Sequence, residues 1–199
     1  HDVYFTSIVR DMKGRKMSKS LGNSPDPLDI IASYGADALR YTVISLAPVG
    51  QDIKFAENKV EIGRNFANKL WNASRFVLMN LEGATCSIEA GLPAQDQMSP
   101  ADRWIISRMN FAVDQVAANL AEGSFKFNDA LKVVYEFIWN DFCDWYIEMS
   151  KPVLFGKDAQ AKAVVQQVLV TCLDGALKIL HPFMPFITEE IWQKLPGSK

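Results

Sequence analysis

Apolar and polar positions follow a helical period over most of the chain. From about residue 57, apolar side chains recur at three- and four-residue spacings on one face of a predicted helix: Phe66, Leu70, Ala73 and Val77. Further helical stretches follow at about 99–122, 127–150, 158–180 and 185–196. Long amphipathic helices joined by short links are typical of a helical bundle. The stretch 127–150 is apolar on nearly all sides, so we expect it at the centre of the bundle.

The first part of the chain combines a strand pattern with helix signals. Val3–Val9 is rich in β-branched and aromatic residues and predicts one short strand. After a charged loop, Asp26 is a candidate N-cap, Pro27 follows at the first helical position, and ADALRYTVISLA predicts a second helix. The change of pattern divides the chain into a small α/β segment at 1–56 and a helical bundle at 57–199. The predicted fold class is therefore mainly α.

Composition indicates an ordinary globular protein, because 49% of the 199 residues are hydrophobic and 22% are charged. No apolar run approaches about 18 residues and no signal peptide is visible, so we expect no membrane span. Cys86, Cys143 and Cys172 show neither disulfide nor metal spacing, which favours a reducing cytoplasm and no metal. The chain opens directly into a strand pattern at His1, so we expect it to be cut from a longer protein.

Positive charge is concentrated in two short segments of a chain whose net charge is −2. Arg10–Lys19 holds five cations and one acid, and Glu61–Met79 holds three cations and one acid. From Asn80 onward there are ten cations and fifteen acids. A protein that coats nucleic acid without specificity would be basic throughout, so that class is excluded.

The first basic segment has the residue types of an anion-binding loop. Lys16 and Lys19 are flexible ammonium donors, and Ser18 and Ser20 add hydroxyl donors. The stretch Gly14–Gly22 begins and ends with glycine, as a mobile loop would. It lacks the second glycine of a P-loop. From composition alone, a solvated basic turn remains an equal alternative.

The order of these residues resembles a known signature. KMSKS at Lys16–Ser20 is similar to the signature loop of class I aminoacyl-tRNA synthetases, and GRKMSKSLGN at Gly14–Asn23 matches its form in the branched-aliphatic subgroup. YGADALRY at Tyr34–Tyr41 resembles the segment that follows the loop in that subgroup. HPFMPFITEEIW at His181–Trp192 is similar to part of its helical anticodon-binding domain. The resemblance covers nearly the whole chain.

Two further segments resemble the valine-specific members of the subgroup most: APVGQDIKF at Ala47–Phe55 and RNFANKLWNASRFVLMN at Arg64–Asn80. This resemblance implies that residues 1–56 are the end of a catalytic region and that 57–199 are an anticodon-binding bundle. The implied partners are tRNA(Val), ATP and valine, and the implied state is a cytoplasmic monomer. An isoleucine- or leucine-specific enzyme and a helical module that binds tRNA by itself remain alternatives.

The resemblance also implies roles for the loop residues. In this family the loop closes over ATP, with Mg²⁺ in the complete enzyme, while the amino acid attacks the α-phosphate. Lys19 would stabilise the charge that develops on the leaving pyrophosphate, and Lys16 would assist with the phosphates. Ser18 and Ser20 would bond the nucleotide or hold the loop, and Met17 would pack the loop against the adenine side or against the protein.

A polar stripe lies opposite the apolar face of the first long helix. Arg64, Asn68, Asn72 and Arg75 recur at helical spacing, and Lys69 lies beside them. Amides can read base edges, and guanidinium groups can bind phosphate or stack on bases. From the residues alone, an ordinary solvated face is the stronger interpretation. The resemblance makes this stripe the candidate edge of an anticodon site.

Other conspicuous residues receive structural interpretations. Most tryptophans lie among apolar neighbours and are expected in the core, with Trp71 the least certain of the set Trp71, Trp104, Trp139, Trp145 and Trp192. Acidic residues on the predicted helix at 127–150, which we call the third helix, are expected to be solvated or paired, not to bind a metal: Asp141, Asp144 and Glu148.

The family's HIGH-like tetrad is not in this sequence. We therefore expect that the chain by itself does not activate an amino acid. A free RNA-binding module and a helical protein-interaction domain are the competing hypotheses. The first is disfavoured by a start within a strand pattern, and the second leaves the loop Lys16–Ser20 unexplained.

Overall fold

The structure is a computed structural model that describes residues 8–48 and 50–198. Strands β1 (Val9–Arg10) and β2 (Ile53–Lys54) pair in parallel, with Val9 opposite Ile53. Between them lie helices α1 (Pro27–Tyr34) and α2 (Ala36–Ser45). Of the predicted strand at residues 3–9, residues 3–7 lie outside the described part, and Val9 is in β1 as predicted.

Most of the rest of the described chain is helical, with a long loop between α3 and α4. The helices are α3 (Val60–Leu81), α4 (Pro100–Leu120), α5 (Phe127–Glu136), α6 (Ile147–Leu154), α7 (Ala159–Leu180) and α8 (Pro185–Trp192). A π-helical segment, Phe137–Tyr146, joins α5 to α6 without a break. The predicted third helix is therefore one element that runs about four residues further than expected, to Leu154, and it includes Pro152. The predicted mainly α fold class is confirmed.

Local signals explain where these helices start. Asp26 accepts a hydrogen bond from the Leu28 amide at 2.9 Å and caps α1. Ser99 and Asp102 form a capping box at α4, because each side chain accepts from the other residue's amide. Asp158 accepts from two amides of the first turn of α7, both at 3.0 Å. These caps satisfy amides that have no partner inside a helix.

Helix α7 lies in the core of the bundle. It is long and apolar enough to cross a membrane, although the sequence analysis expected no such segment. However, 61% of its most apolar stretch is buried inside the protein. Core helices of globular proteins have the same composition. The predicted core face of α3 is confirmed for Phe66, Leu70 and Val77, which have no exposed surface, and Ala73 is partly buried.

The buried apolar side chains form two clusters. The larger one is built by the bundle helices and also receives Tyr41 from α2. The smaller one contains Ile30, Ala38, Ile53, Phe55 and Val60. Helix α2 supplies side chains to both clusters, so it joins the first part of the chain to the bundle.

Candidate functional site

The basic loop returns from β1 and folds onto its base. Arg10 and Lys16 form an antiparallel bridge, and the Met17 amide donates to the Val9 carbonyl at 3.1 Å. Ser18 then caps a short 3₁₀ turn, Lys19–Leu21, because its hydroxyl accepts from the Leu21 amide at 3.3 Å.

Gly22 closes that turn in the left-handed region, with φ of 62°. This conformation costs a glycine little, and its amide donates to the Lys19 carbonyl at 3.1 Å.

The side chain of Asn23 fastens the two ends of the loop together. Its carbonyl oxygen accepts from the Ser18 amide at 2.9 Å. Its amide nitrogen donates to Asp11 Oδ2 at 3.1 Å and to the Lys16 carbonyl at 3.3 Å. We call Asn23 and Asp11 the loop staple. Sequence analysis did not single out either residue, because a turn asparagine and a turn aspartate are ordinary in a loop.

Asp11 collects most of the hydrogen bonds at the loop base. Its carboxylate accepts from the amides of Lys13 and Arg15 at 3.0 and 2.9 Å and from the Arg15 guanidinium at 2.8 Å. The hydrogen bond from Asn23 and then the contacts with Arg15 lower the pKa of Asp11 from 3.8 to about 2. Arg15 therefore helps to hold the base of the loop.

The two lysines of the signature point away from this network. Lys16 and Lys19 are exposed, and within residues 8–48 and 50–198 neither ammonium group has a hydrogen-bond or ion-pair partner. Ser18 and Ser20 bring their hydroxyl oxygens to 3.2 Å of each other, and Met17 packs on the smaller cluster. The loop thus offers two ammonium groups without a partner in the described part of the chain, on an ordered base, which suits a phosphate anion.

A cavity of about 390 Å³ lies directly beside the loop. Lys16 and Met17 line it together with residues of α1, α2 and β1. Most of its other lining side chains are apolar: Ile8, Val9, Ile30, Leu39, Val43 and Phe55. One lysine among mostly apolar lining side chains suits a ligand with both a phosphate and an apolar or aromatic part.

The stripe predicted on α3 divides into free and paired residues. Asn68, Asn72 and Arg75 are exposed, and in the described chain their side chains have no hydrogen-bond or ion-pair partner. Arg64 pairs with Glu61 at 2.6 Å and lies 5.4 Å from the centre of the Tyr34 ring.

Lys69, which was predicted to lie beside the stripe, is paired. It forms an ion pair with Asp144, and its ammonium lies 4.0 Å from the centre of the Trp139 ring. Because both partners are on the third helix, Lys69 ties α3 to that helix.

A groove of about 450 Å³ runs between α3 and the long helix formed by the π-helical segment and α6. It lies beside Asn72, one of the unpaired residues of the stripe in the described chain. Asn72 and Phe76 line it from α3, and Lys69, Asp144 and Lys151 line it as well.

Two cations outside the predicted stripe also face aromatic rings on α3. Lys151 lies 5.6 Å from the centre of the Phe76 ring, and Lys194 lies 5.3 Å from that of Trp71. Sequence reasoning missed both lysines, because Lys151 on α6 and Lys194 in the turn after α8 are distant from α3 in sequence. Both lysines also form ion pairs, Lys151 with Glu148 and Lys194 with Glu190. Aromatic rings are the groups on which unpaired bases can stack.

The tryptophans are less buried than the sequence suggested. Trp145 is 62% exposed and Trp71 is 36% exposed. The other three are partly buried: Trp104, Trp139 and Trp192. The expectation that Trp145 belongs to the core is therefore wrong. It lies on an exposed face of the third helix, although the neighbouring Phe142 and Tyr146 are buried.

The acidic residues of the third helix were expected to be either solvated or paired, and the structure shows that they are paired. Asp141 accepts from Arg108 at 2.8 Å, Asp144 from Lys69, and Glu148 from Lys151 at 2.6 Å. Among the described residues, no group of three or more His, Cys, Asp or Glu side chains is placed to hold a metal ion.

Comparison with known families gives two matches. The family model described as "tRNA synthetases class I (I, L, M and V)" matches residues 1–56. The model described as "Anticodon-binding domain of tRNA ligase" matches residues 102–199.

Curated relatives that cover 98% of the chain are valine–tRNA ligases. The chain is 51% identical to that of Chlorobaculum tepidum, 52% to that of Thermosynechococcus vestitus and 50% to that of Bacillus subtilis. The aligned part is 22% of each relative, so the chain spans about a fifth of their length.

Solved structures show the same fold at lower identity. One is the ternary complex of agnB2 LeuRS from Agrobacterium radiobacter K84 with tRNA and LeuAMS, at a TM-score of 0.70 and 24% identity, covering 96% of this chain and 22% of that one. Another is methionyl-tRNA synthetase of Mycobacterium tuberculosis in complex with methionyl-adenylate, at a TM-score of 0.71 and 22% identity, covering 90% of this chain and 35% of that one.

Proposed function

Because the chain belongs to the class I tRNA synthetases, we propose that it is a segment of a valine–tRNA ligase. The complete enzyme activates valine with ATP and transfers it to tRNA(Val). In this proposal residues 1–56 are the end of the catalytic region and 57–199 are the anticodon-binding bundle. About 50% identity to valine–tRNA ligases over 98% of the chain supports valine over isoleucine or leucine. We place the enzyme in the cytoplasm, as a monomer.

The loop supplies the phosphate-binding part of the activation step. The observation that carries this proposal is the pair of unpaired ammonium groups, Lys16 and Lys19, on a stapled base. When valine attacks the α-phosphate of ATP, negative charge moves onto the leaving pyrophosphate. An ammonium group placed there stabilises the transition state more than bound ATP, which lowers the barrier. Mg²⁺ would come with the ATP phosphates.

We assign the main share of this stabilisation to Lys19 and an assisting one to Lys16. Lys19 opens the 3₁₀ turn that Ser18 caps, so its backbone is held while its side chain stays free. Ser18 and Ser20 add hydroxyl donors beside it, and Met17 anchors the loop on the smaller cluster.

The bundle supplies the contact with the anticodon. Asn68, Asn72 and Arg75 on α3 have free side chains that suit unpaired bases and phosphates. The adjoining groove brings Lys69 and Lys151 to the same surface. Arg64, which is paired with Glu61, takes part at the edge by exchanging this partner for a phosphate. A few cations on an otherwise acidic body suit the reading of a short single-stranded loop.

Substitution of Lys19 tests the catalytic part of the proposal. In the full-length enzyme, Lys19→Ala is expected to slow valine-dependent ATP–pyrophosphate exchange by about 100- to 1000-fold, as for a lost oxyanion donor. Lys13→Ala is the matched control, because Lys13 is an exposed lysine just before the signature. Exchange at the unaltered rate in Lys19→Ala would contradict the proposal. The 199-residue chain alone is expected to show no exchange above background.

Binding of tRNA transcripts to this chain tests the second part. We expect tRNA(Val) to bind more tightly than tRNA(Ile), and both affinities to fall between a low and a high salt concentration. Tighter binding of tRNA(Ile) would favour the isoleucine-specific alternative. Equal and weak binding of both would remove the anticodon assignment.

A further inference from the structure

Two segments that lie far apart in sequence meet at one corner of the bundle. Asp37 and Arg40 lie one turn apart on α2, and both bind the turn that connects α7 to α8. We call Asp37 and Arg40, together with the backbone of residues 182–187, the clasp. The proposed roles of the loop and of the α3 surface use neither side chain.

Asp37 completes the start of α8. Its carboxylate accepts from the Ile187 amide at 2.7 Å and from the Phe186 amide at 3.3 Å. These amides belong to the first turn of α8, and Met184, the N-cap residue of α8, provides no side-chain cap. Asp37 is only 8% exposed, so its charge needs these donors. A charged acceptor at a helix N-terminus is also favoured by the helix dipole.

Arg40 binds the other end of the same turn. Its Nε donates to the Phe183 carbonyl and its Nη2 to the Pro182 carbonyl, both at 3.0 Å. These carbonyls follow the end of α7 at Leu180. A cation is favoured there by the dipole of α7, and the planar guanidinium matches two neighbouring carbonyls. In the clasp, the Asp37 carboxylate therefore binds backbone amides at the start of α8, and the Arg40 guanidinium binds backbone carbonyls after the end of α7.

Helix α2 transmits this attachment to the loop. Its residue Ala38 packs in the smaller cluster, on which Met17 of the loop also packs. On its other side, Tyr41 packs against Phe66 of α3 with ring centres 5.2 Å apart. At its end, Asn128 of α5 donates to the Ser45 carbonyl at 2.6 Å. The clasp is thus one of the attachments through which α2 fixes the loop relative to the bundle.

We propose that Asp37 and Arg40 are positioning residues that set the distance and orientation between the loop and the RNA-binding surface of α3. This inference rests on the proposed function, since it needs a tRNA that contacts both places. Of the two surfaces in this chain, adenylate formation in the complete enzyme requires only the loop. Transfer to tRNA requires that its acceptor end reach the adenylate while its anticodon lies on the bundle. A small misplacement of one relative to the other therefore lowers transfer but not activation.

The experiment compares these two reactions in the full-length enzyme. The clasp variants are Asp37→Ala and Arg40→Lys; the second keeps the charge and loses the guanidinium fork. We expect kcat/KM for tRNA(Val) charging to fall by about tenfold or more. Valine-dependent ATP–pyrophosphate exchange should stay within about twofold, which also shows that each variant is folded.

Matched controls remove equivalent bonds elsewhere in the bundle. Asp158→Ala removes a carboxylate that caps two amides of its own helix, α7. Arg103→Lys removes a guanidinium that binds the Met98 and Gln95 carbonyls near the start of α4. Both controls should change charging by less than about twofold, the margin of a local stability effect.

Three results would overturn the inference or its basis. A parallel fall of charging and exchange in the clasp variants would make the clasp merely structural. Unchanged charging in both clasp variants would remove any role in positioning. Failure of the unaltered full-length enzyme to charge tRNA(Val) would refute the proposed function, and this inference with it.

Discussion

Removal of the Asn23 side chain tests the loop staple without requiring catalysis. Asn23→Ala removes three hydrogen bonds, to the Ser18 amide, to Asp11 Oδ2 and to the Lys16 carbonyl. A hydrogen bond contributes roughly 0.5–1.5 kcal/mol net, and the lower end applies to a loop that is partly exposed. Three such bonds sum to about 1.5 kcal/mol, which would lower the ratio of stapled to open loop by roughly 13-fold.

The pKa of Asp11 reports this loss directly. It is about 2 in the stapled loop, below the ordinary value of 3.8, and the hydrogen bond from Asn23 is its largest cause. Because the native pKa lies below the ordinary one, the ionised form stabilises the loop above about pH 4, and this stabilisation is lost as the pH falls towards 2. In Asn23→Ala we expect the pKa to rise towards 3.8 and to remain below it, because Arg15 still binds the carboxylate.

The measurement is an NMR titration of the Asp11 carboxyl carbon in the 199-residue chain. Asn110→Ala is the control, because Asn110 is exposed on α4. A pKa that stays at about 2 in Asn23→Ala would refute the staple. In the full-length enzyme, the same variant should raise the KM for ATP, because Lys16 and Lys19 lose their ordered base.

Three other substitutions test the bundle and its surface. Tyr146→Phe should lower the free energy of unfolding by about 1.5–3 kcal/mol in urea titrations, because its hydroxyl donates to the buried carboxylate of Asp102 at 2.6 Å. Gly63→Ala should cost about 1–3 kcal/mol in the same assay, because a Cβ there would lie 2.5 Å from the Ala38 carbonyl oxygen. Arg75→Ala should weaken tRNA(Val) binding and reduce its salt slope by about one, without a change in stability.

Each of these has a matched control. Tyr135→Phe removes a hydroxyl from a partly buried ring and should cost less than Tyr146→Phe. Gly175→Ala places its Cβ 2.6 Å from the sulfur of Met109, a flexible side chain that can move, so it should cost less than Gly63→Ala. Lys132→Ala removes an exposed cation on α5 and should leave tRNA binding unchanged. If a variant and its matched control had equal effects, the physical reason given for that variant would be contradicted.

Local signals in the sequence were sufficient for the helices. The cap at Asp26, the capping Ser99 and the apolar face of Phe66 and Leu70 act within a few residues, so their pattern is visible without the fold. The loop signature is also contiguous, and its two lysines have no hydrogen-bond or ion-pair partner among the residues that the structure describes, which suits a phosphate-binding role. The roles of Lys16 and Lys19 themselves stay predictions.

The orientation of the third helix could not be obtained from the period of its side chains. A continuous α period predicted a helix that is buried all round. The π-helical segment Phe137–Tyr146 has more residues per turn than an α-helix, so the residues in it rotate relative to the α period. Trp145 is exposed in the structure, although its neighbour Tyr146 is buried.

Which side chains of the candidate surfaces are paired depends on residues that are far away along the chain. Lys69 belongs to the polar stripe by its position on α3, but Asp144, 75 residues later, neutralises it. Asp37 lies in the first turn of α2, and its carboxylate accepts from amides about 150 residues away. Spacing along one helix indicates which side chains share a face. Which of them keep a free charge is decided by the helices that pack beside it, because burial and pairing arise only when distant segments come together.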